Sequence, residues 1–291
     1  MSGSSATRLE ELPPLDVRPL FGPLLESLLG VLSGLGAEEW QRPASRSWSV
    51  KDVAGHLLDG DCRQLAFSRD RMPLLPPDRP IEGPADFLAF LDGLNADWVR
   101  AVKRLSPRLL VDLLGLTGRQ VAEHFAALDP EAEAVFGVAW AGEERSLNWM
   151  HLARELTERF HHQQQLREAA GRPLLEDARF AAPVLEAFLY GLPPVYEGVE
   201  ADPGARIAIV FGAPVGRRYA IGFDAERGWR LGRASDAAAA TIELEPVAAW
   251  RTLTRSWSIA EAKKHAKVDG PAMLTEPFFQ ACSIHKRPVE G

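Results

Sequence analysis

Five polar residues recur at steps of four and three along one predicted helix, residues 148–170. They are His151, Glu155, Glu158, His162 and Gln165, and this spacing places them on one face. Glu158 and His162 lie one turn apart, so a carboxylate oxygen and an imidazole nitrogen can converge on one ion. Divalent metals such as zinc and nickel take such donors. A solvated stripe of Glu–His or Glu–Arg pairs has the same spacing, so this helix alone leaves both interpretations open.

A further candidate ligand, His56, lies in a predicted helix that begins at Ser49. Ser49 and Asp52 resemble a capping box. His56 stands among apolar residues at the helical period, so we expect it to point into a bundle. A satisfied core histidine is the simpler alternative. However, one ion bound by His56, Glu158 and His162 would satisfy three polar groups that otherwise carry a desolvation cost. We therefore predict a divalent-metal site formed by these three residues.

Composition limits the class of protein that the chain can be. It has 291 residues, a formal charge of -7 and a pI near 5.6, which suggest two domains and argue against a nucleic-acid surface. Its two cysteines, Cys62 and Cys282, are too few for a disulfide framework. The first residues lack the apolar core of an export signal, and no stretch reaches the ~18 apolar residues of a membrane span. We expect a cytoplasmic protein that acts on small molecules.

Helical patterns dominate the first part of the chain, and short strands appear after Pro193. The further helices are predicted at 15–40, 86–105, 107–128 and 179–192, and 134–140 is either a strand or a packed loop. Strands are predicted at 206–211, 218–223, 228–231 and 240–244, with helices at 246–253, 258–265 and 272–281. The predicted fold is an all-α four-helix bundle in residues 1–178, followed by a smaller α+β domain in residues 179–291.

Two separated motifs resemble those of a known family. Residues 41–57 read QRPASRSWSVKDVAGHL, and residues 158–171 read ERFHHQQQLREAAG. Both are similar to signatures of the mycothiol-dependent maleylpyruvate isomerases, which belong to the DinB-like metal-dependent four-helix bundles. The second half resembles the sterol-carrier-like domain often appended in that family, by pattern more than by motif. Gln165 departs from the family, which usually has Asp there.

The resemblance implies a metalloenzyme that uses a low-molecular-weight thiol such as mycothiol or bacillithiol. It implies ligand roles for His56, Glu158 and His162, with zinc or nickel as the metal and water or the thiol's sulfur completing the shell. Arg255 corresponds in pattern to an arginine of the appended domain that could reach an anionic substrate; a surface salt bridge is the structural alternative. The thiol would attack a small electrophilic substrate, giving isomerisation if it leaves again and S-transfer if it stays.

Two other functions remain open at this point. One is a non-catalytic protein with a structural metal and an apolar ligand in the second domain, and the other is a hydrolase that uses metal-activated water. Structural zinc sites normally have four protein ligands, and the sequence offers three good ones, which favours an open, catalytic site. His161 should point about 100° away from His162 around the helix. We interpret His124, Cys62, Trp48 and Trp257 as structural residues.

Overall fold

The computed structural model describes residues 9–233 and 238–284, and this part of the chain forms two compact units. The helical unit comprises Asp16–Phe136 and Leu147–Leu175; the α+β unit comprises residues 9–15, Gly137–Ser146 and Glu176–Ile284. Residues 1–8, where we expected no export signal, lie outside the described residues. No helix in the described ranges has both the length and the apolar character needed to cross a membrane.

The helical unit confirms the predicted all-α fold of the first part of the chain. Its helices are α1 (Phe21–Ser33), α2 (Val50–Arg63), α3 (Pro84–Val102), α4 (Pro107–Ala127) and α5 (Asn148–Ala169). Helix α2 contacts α3, α4 and α5, and α1 contacts α4 and α5. Their shared core is apolar, and its buried members are Leu28, Leu32, Trp40, Val50, Val53, Ala54, Leu57, Leu58, Val102, Leu110, Leu114 and Leu166.

Local chemistry explains how α2 begins and how closely it packs. Ser49 and Asp52 form the predicted capping box, in which the Ser49 side chain accepts from the Asp52 amide and the Asp52 side chain accepts from the Ser49 amide. Gly55 allows α3 to approach, since a Cβ at this position would lie 2.6 Å from Cγ1 of Val102. A π-helical segment, Gln64–Arg69, continues α2 before the proline-rich loop.

The helical predictions differ from the structure mainly at their ends. Helix α1 is shorter than the predicted 15–40, because separate 3-10 turns occupy Arg18–Leu20 and Glu39–Gln41. The run 134–140 forms no regular strand, and a 3-10 turn begins at Ala139. Periodicity alone does not distinguish a continuous helix from a helix flanked by tighter turns.

The second unit confirms the predicted α+β class. It contains α6 (Ala178–Leu189), α7 (Leu192–Val195), β1 (Arg206–Phe211), β2 (Arg217–Asp224), β3 (Gly228–Arg233), β4 (Ala240–Leu244), α8 (Pro246–Leu253), α9 (Ile259–Lys264), β5 (Ala266–Asp269) and α10 (Ala272–Thr275). The sheet order is β3-β2-β1-β4-β5. Strands β1 and β4 are parallel, and the other neighbours are antiparallel.

Two features of this unit were not predicted from the sequence. Strand β5 was missed because it is an edge strand of only four residues, Ala266–Asp269, directly after a predicted helix. Its alternation of apolar and polar residues is too short to indicate a strand. The helix predicted at 272–281 ends at Thr275, and a 3-10 turn follows from Pro277. The domain boundary between residues 178 and 179 stays a prediction that proteolysis can test.

Candidate metal centre

Three side chains from two helices meet inside the helical unit. His56 Nε2 lies 3.1 Å from Glu158 Oε1, and His162 Nε2 lies 3.0 Å from the same oxygen. One donor atom from each residue lies within 4.8 Å of the other two. The structure therefore brings together all three residues that the sequence nominated as metal ligands.

The antiparallel packing of α2 and α5 produces this meeting. Trp48, just before α2, lies beside His162, whereas Gln64 at the other end contacts His151 near the start of α5. His56 and Glu158 meet between these contacts. The polar face of α5 is therefore turned inward, and His151, Glu155 and His162 are all buried. This burial excludes the interpretation of the face as a solvated stripe.

The site is closed by aromatic rings and opens towards Glu158. The Trp48 ring centroid lies 4.9 Å from that of His56 and 6.4 Å from that of His162. The side chains of both histidines are 11% exposed, whereas that of Glu158 is 35% exposed. Trp48 is packed against the core as predicted, but its contact with the two imidazoles was not predicted. Trp48 precedes α2, so helical spacing does not indicate which residues its side chain contacts.

The electrostatics of the three groups favour an ionised carboxylate. Burial raises the pKa of Glu158, but the charge of His162 and hydrogen bonds from both histidines outweigh it and hold the pKa well below its ordinary value of 4.5. For His162, burial lowers the pKa, but the charge and hydrogen bond of Glu158 raise it by a larger amount. The net change in the pKa of His162 is therefore upward. Burial dominates at His56 and lowers its pKa.

The donor set fits a divalent metal. Two imidazole nitrogens and one carboxylate oxygen match the ligands of catalytic zinc sites, which keep another position open for water or substrate. The exposed side of Glu158 provides such an opening. His162 Nδ1 lies 2.9 Å from Gln165 Oε1, the outer hydrogen bond that commonly orients a metal-binding histidine.

The remaining residues of the polar face belong to a separate buried network. Gln64 donates to Glu155 over 2.9 Å and contacts His151, whose pKa burial lowers to about 3. Arg159 donates to Asp61 over 2.6 Å. This network was not predicted, although Asp61 continues the apolar period of α2, and an acidic residue at an apolar position indicates a buried partner.

Three other residues considered in the sequence lie outside the cluster. His161 contacts Gln165 through Nε2 over 3.1 Å. His124 Nε2 lies 2.8 Å from the Ser68 hydroxyl. Burial, together with neighbouring carboxylates, raises the pKa of Cys62, so this half-buried thiol is protonated at neutral pH.

Arg255 lies in the α+β unit, where it ends α8 in a left-handed conformation. Its φ is 52°; its amide donates to the Thr252 carbonyl, and the Ser256 amide donates to the Arg251 carbonyl. These two bonds form a Schellman motif, whose left-handed position usually holds glycine. The Arg255 guanidinium donates to the Phe279 carbonyl over 2.9 Å. Its anion-binding role stays a prediction.

Comparison with known proteins identifies the family. A family model described as the mycothiol maleylpyruvate isomerase N-terminal domain matches residues 21–167. This is about half of the chain, and the chain therefore belongs to the mycothiol-dependent maleylpyruvate isomerase family. The match includes all three cluster residues.

Two solved structures are similar over most of their length. One is a histidine-to-alanine mutant of the mycothiol-dependent maleylpyruvate isomerase, with 11% identity, a TM-score of 0.49, and coverage of 89% of this chain and 93% of that chain. The other is a crystal structure of the mycothiol-dependent maleylpyruvate isomerase whose name mentions no mutation. It has 9% identity, a TM-score of 0.47, and coverage of 89% of this chain and 93% of that chain. No curated protein sequence matches this chain.

Proposed function

We propose that the protein is a metal- and thiol-dependent enzyme, an isomerase or an S-transferase that acts on a small electrophilic substrate. The observation that supports this proposal best is the convergence of His56, Glu158 and His162 around a partly exposed carboxylate. Membership of the family supports mycothiol as the thiol, and bacillithiol is the alternative. Zinc is the favoured metal and nickel the alternative, because both accept nitrogen and oxygen donors.

Each residue of the cluster has a distinct part in this proposal. His56 and His162 hold the metal through Nε2, and Glu158 adds a negative charge to the donor set. A divalent ion bound there would lower the pKa of a coordinated thiol, so that a thiolate is available at neutral pH. Trp48 covers the two imidazoles and limits the access of water from its side. Since burial keeps Cys62 protonated, that residue is a poor source of thiolate, which favours an external thiol.

Arg255 is proposed as a group that binds the anionic part of a substrate. A non-glycine residue in the left-handed region is uncommon, so an arginine at this position of a Schellman motif favours a function for its side chain. The hydrogen bond to Phe279 is the structural alternative. Arg255→Ala should impair turnover of a carboxylate substrate more than that of a neutral one. Equal effects on both would favour the structural role.

The metal site is tested first by elemental analysis of the purified protein. We expect one divalent ion per chain in the wild type and loss of metal in His56→Ala and His162→Ala. His124→Ala is the matched control, because it removes another imidazole of the helical unit, one that contacts Ser68, and leaves the three ligands. Full metal occupancy in both ligand variants would reject the site.

The thiol is tested by X-ray absorption at the metal edge of the zinc- or cobalt-loaded protein. Addition of mycothiol, bacillithiol or glutathione should produce a metal–sulfur distance of about 2.3 Å with the correct thiol. Glu158→Gln, compared at saturating metal, should then lower the rate by more than any loss of occupancy explains. If no thiol gives a sulfur signal and the coordinated water is unchanged, a hydrolase with metal-activated water becomes the better proposal.

A further inference from the structure

Two hydrogen bonds of Gln165 connect the metal centre to a second histidine. Gln165 Oε1 lies 2.9 Å from His162 Nδ1, and Gln165 Nε2 lies 3.1 Å from His161 Nε2. The opposite nitrogen of His162, Nε2, faces Glu158 at 3.0 Å. All four side chains lie on consecutive turns of α5, at spacings of three and four residues.

The two ends of an amide have opposite hydrogen-bonding character, and the accepting end faces His162 in the structure. An amide oxygen only accepts, so the contact with Gln165 Oε1 requires a proton on His162 Nδ1. In the neutral ring, Nε2 then carries the lone pair, which points into the cluster where a metal binds. If the amide were rotated by half a turn, its NH₂ group would face Nδ1 and the ring proton would move to Nε2.

His161 holds the other end of the amide. The NH₂ group of Gln165 only donates, so in this orientation its contact requires a lone pair on His161 Nε2. The two contacts together fix the position of the amide between the two imidazoles.

We infer that Gln165 is a positioning residue of the metal centre and that His161 anchors it. Gln165 holds a proton on His162 Nδ1 and fixes the orientation of the ring, so that Nε2 is the atom directed at the cluster. His56 has no comparable support: its Nδ1 is buried without a hydrogen-bond partner among the described residues. The inference rests on the proposed function, since it concerns a ligand of the proposed metal.

The first test measures zinc affinity of the full-length protein by competition with a chelator. Gln165→Leu removes the acceptor and should weaken zinc binding by about 10- to 100-fold. Gln165→Glu retains an acceptor oxygen and should rescue the affinity to within a few-fold of wild type. Gln164→Leu is the matched control, because it removes a neighbouring glutamine that bonds only to the Leu175 backbone in the described structure. It should leave zinc affinity unchanged.

The second test identifies the tautomer of His162 by nitrogen-15 NMR of its imidazole. Wild type should show a slowly exchanging Nδ1–H, and Gln165→Leu should lose this protection. Wild-type zinc affinity in Gln165→Leu, or an equal loss in Gln164→Leu, would overturn the inference. If the wild type binds no zinc, the proposed function fails, and the inference is decided in the metal-free protein: a His162 Nδ1–H that exchanges as fast in the wild type as in Gln165→Leu would overturn it.

Discussion

Metal binding should release one proton from His162, and the geometry of the metal-free cluster gives the reason. His162 Nδ1 contacts Gln165 Oε1 and Nε2 contacts Glu158 Oε1, and both oxygens only accept hydrogen bonds. The ring therefore makes both bonds fully only as an imidazolium. Burial lowers the pKa of His162, but Glu158 raises it above the ordinary value of 6.5.

The magnitude follows from the number of protons displaced. A metal ion that binds Nε2 replaces the proton on that atom, whereas the other proton stays on Nδ1, which donates it to Gln165 Oε1. Below the pKa of His162, the apparent zinc affinity should therefore fall about tenfold, or about 1.4 kcal/mol, for each pH unit. Burial lowers the pKa of His56, and that of Glu158 lies well below 4.5, so neither adds a second proton near pH 6.5.

Calorimetric titration with zinc measures this release directly. Experiments at a pH below 6.5, in buffers of different ionisation enthalpy, give the number of protons released per zinc ion bound. His124→Ala should give the same number as the wild type, because His124 lies outside the cluster. A value of zero would refute the reasoning that His162 is an imidazolium in the metal-free cluster, and a value of two would show that His56 is also protonated.

The remaining predictions concern stability and domain organisation. Gly55→Ala should destabilise the protein by about 1–3 kcal/mol in denaturant unfolding, because the new Cβ would overlap Val102. Gly60→Ala is the control on the same helix: its Cβ would meet nothing within 4 Å, so this variant should be neutral or stabilising. Arg159→Met should cost about 3–5 kcal/mol at neutral pH, because it leaves the buried carboxylate of Asp61 without its cation. A smaller loss in acid, where Asp61 takes up a proton, checks the cause. Arg255→Gly should be more stable than Arg255→Ala by about 1 kcal/mol, and equal melting temperatures would argue against strain. Limited proteolysis should cut first within 171–192, and a first cut inside α2 or α5 would contradict the predicted boundary.

Local sequence patterns were sufficient to predict most of the fold. The bounds of β1 and β4 are those expected from alternation, and the capping box before α2 was identified from Ser49 and Asp52. These features depend on neighbours within a few residues, so the sequence displays them directly. Strand β5 was missed because its four residues carry too little local pattern, and only the pairing with β4 identifies it.

The candidate site was predicted in a similar way, in part from local spacing and in part from resemblance. The four-residue step from Glu158 to His162 guarantees that their side chains are neighbours on any regular helix. Whether that face meets solvent or the core is a property of packing, and the stripe alone favoured the solvated interpretation. The inward orientation of α5 and the 3.1 Å contact with His56 required the structure.

The sequence by itself determined which residues share a helical face, where α2 begins, and which family the two motifs resemble. The physical reason is that a helix has a constant rise and turn, so spacing along the chain becomes position in space. Only the tertiary structure decided that Trp48 covers the site and that Gln165 points one end of its amide at each of two histidines. Those outcomes depend on the rotation of one packed helix against another and on side-chain torsions, which a one-dimensional pattern does not contain.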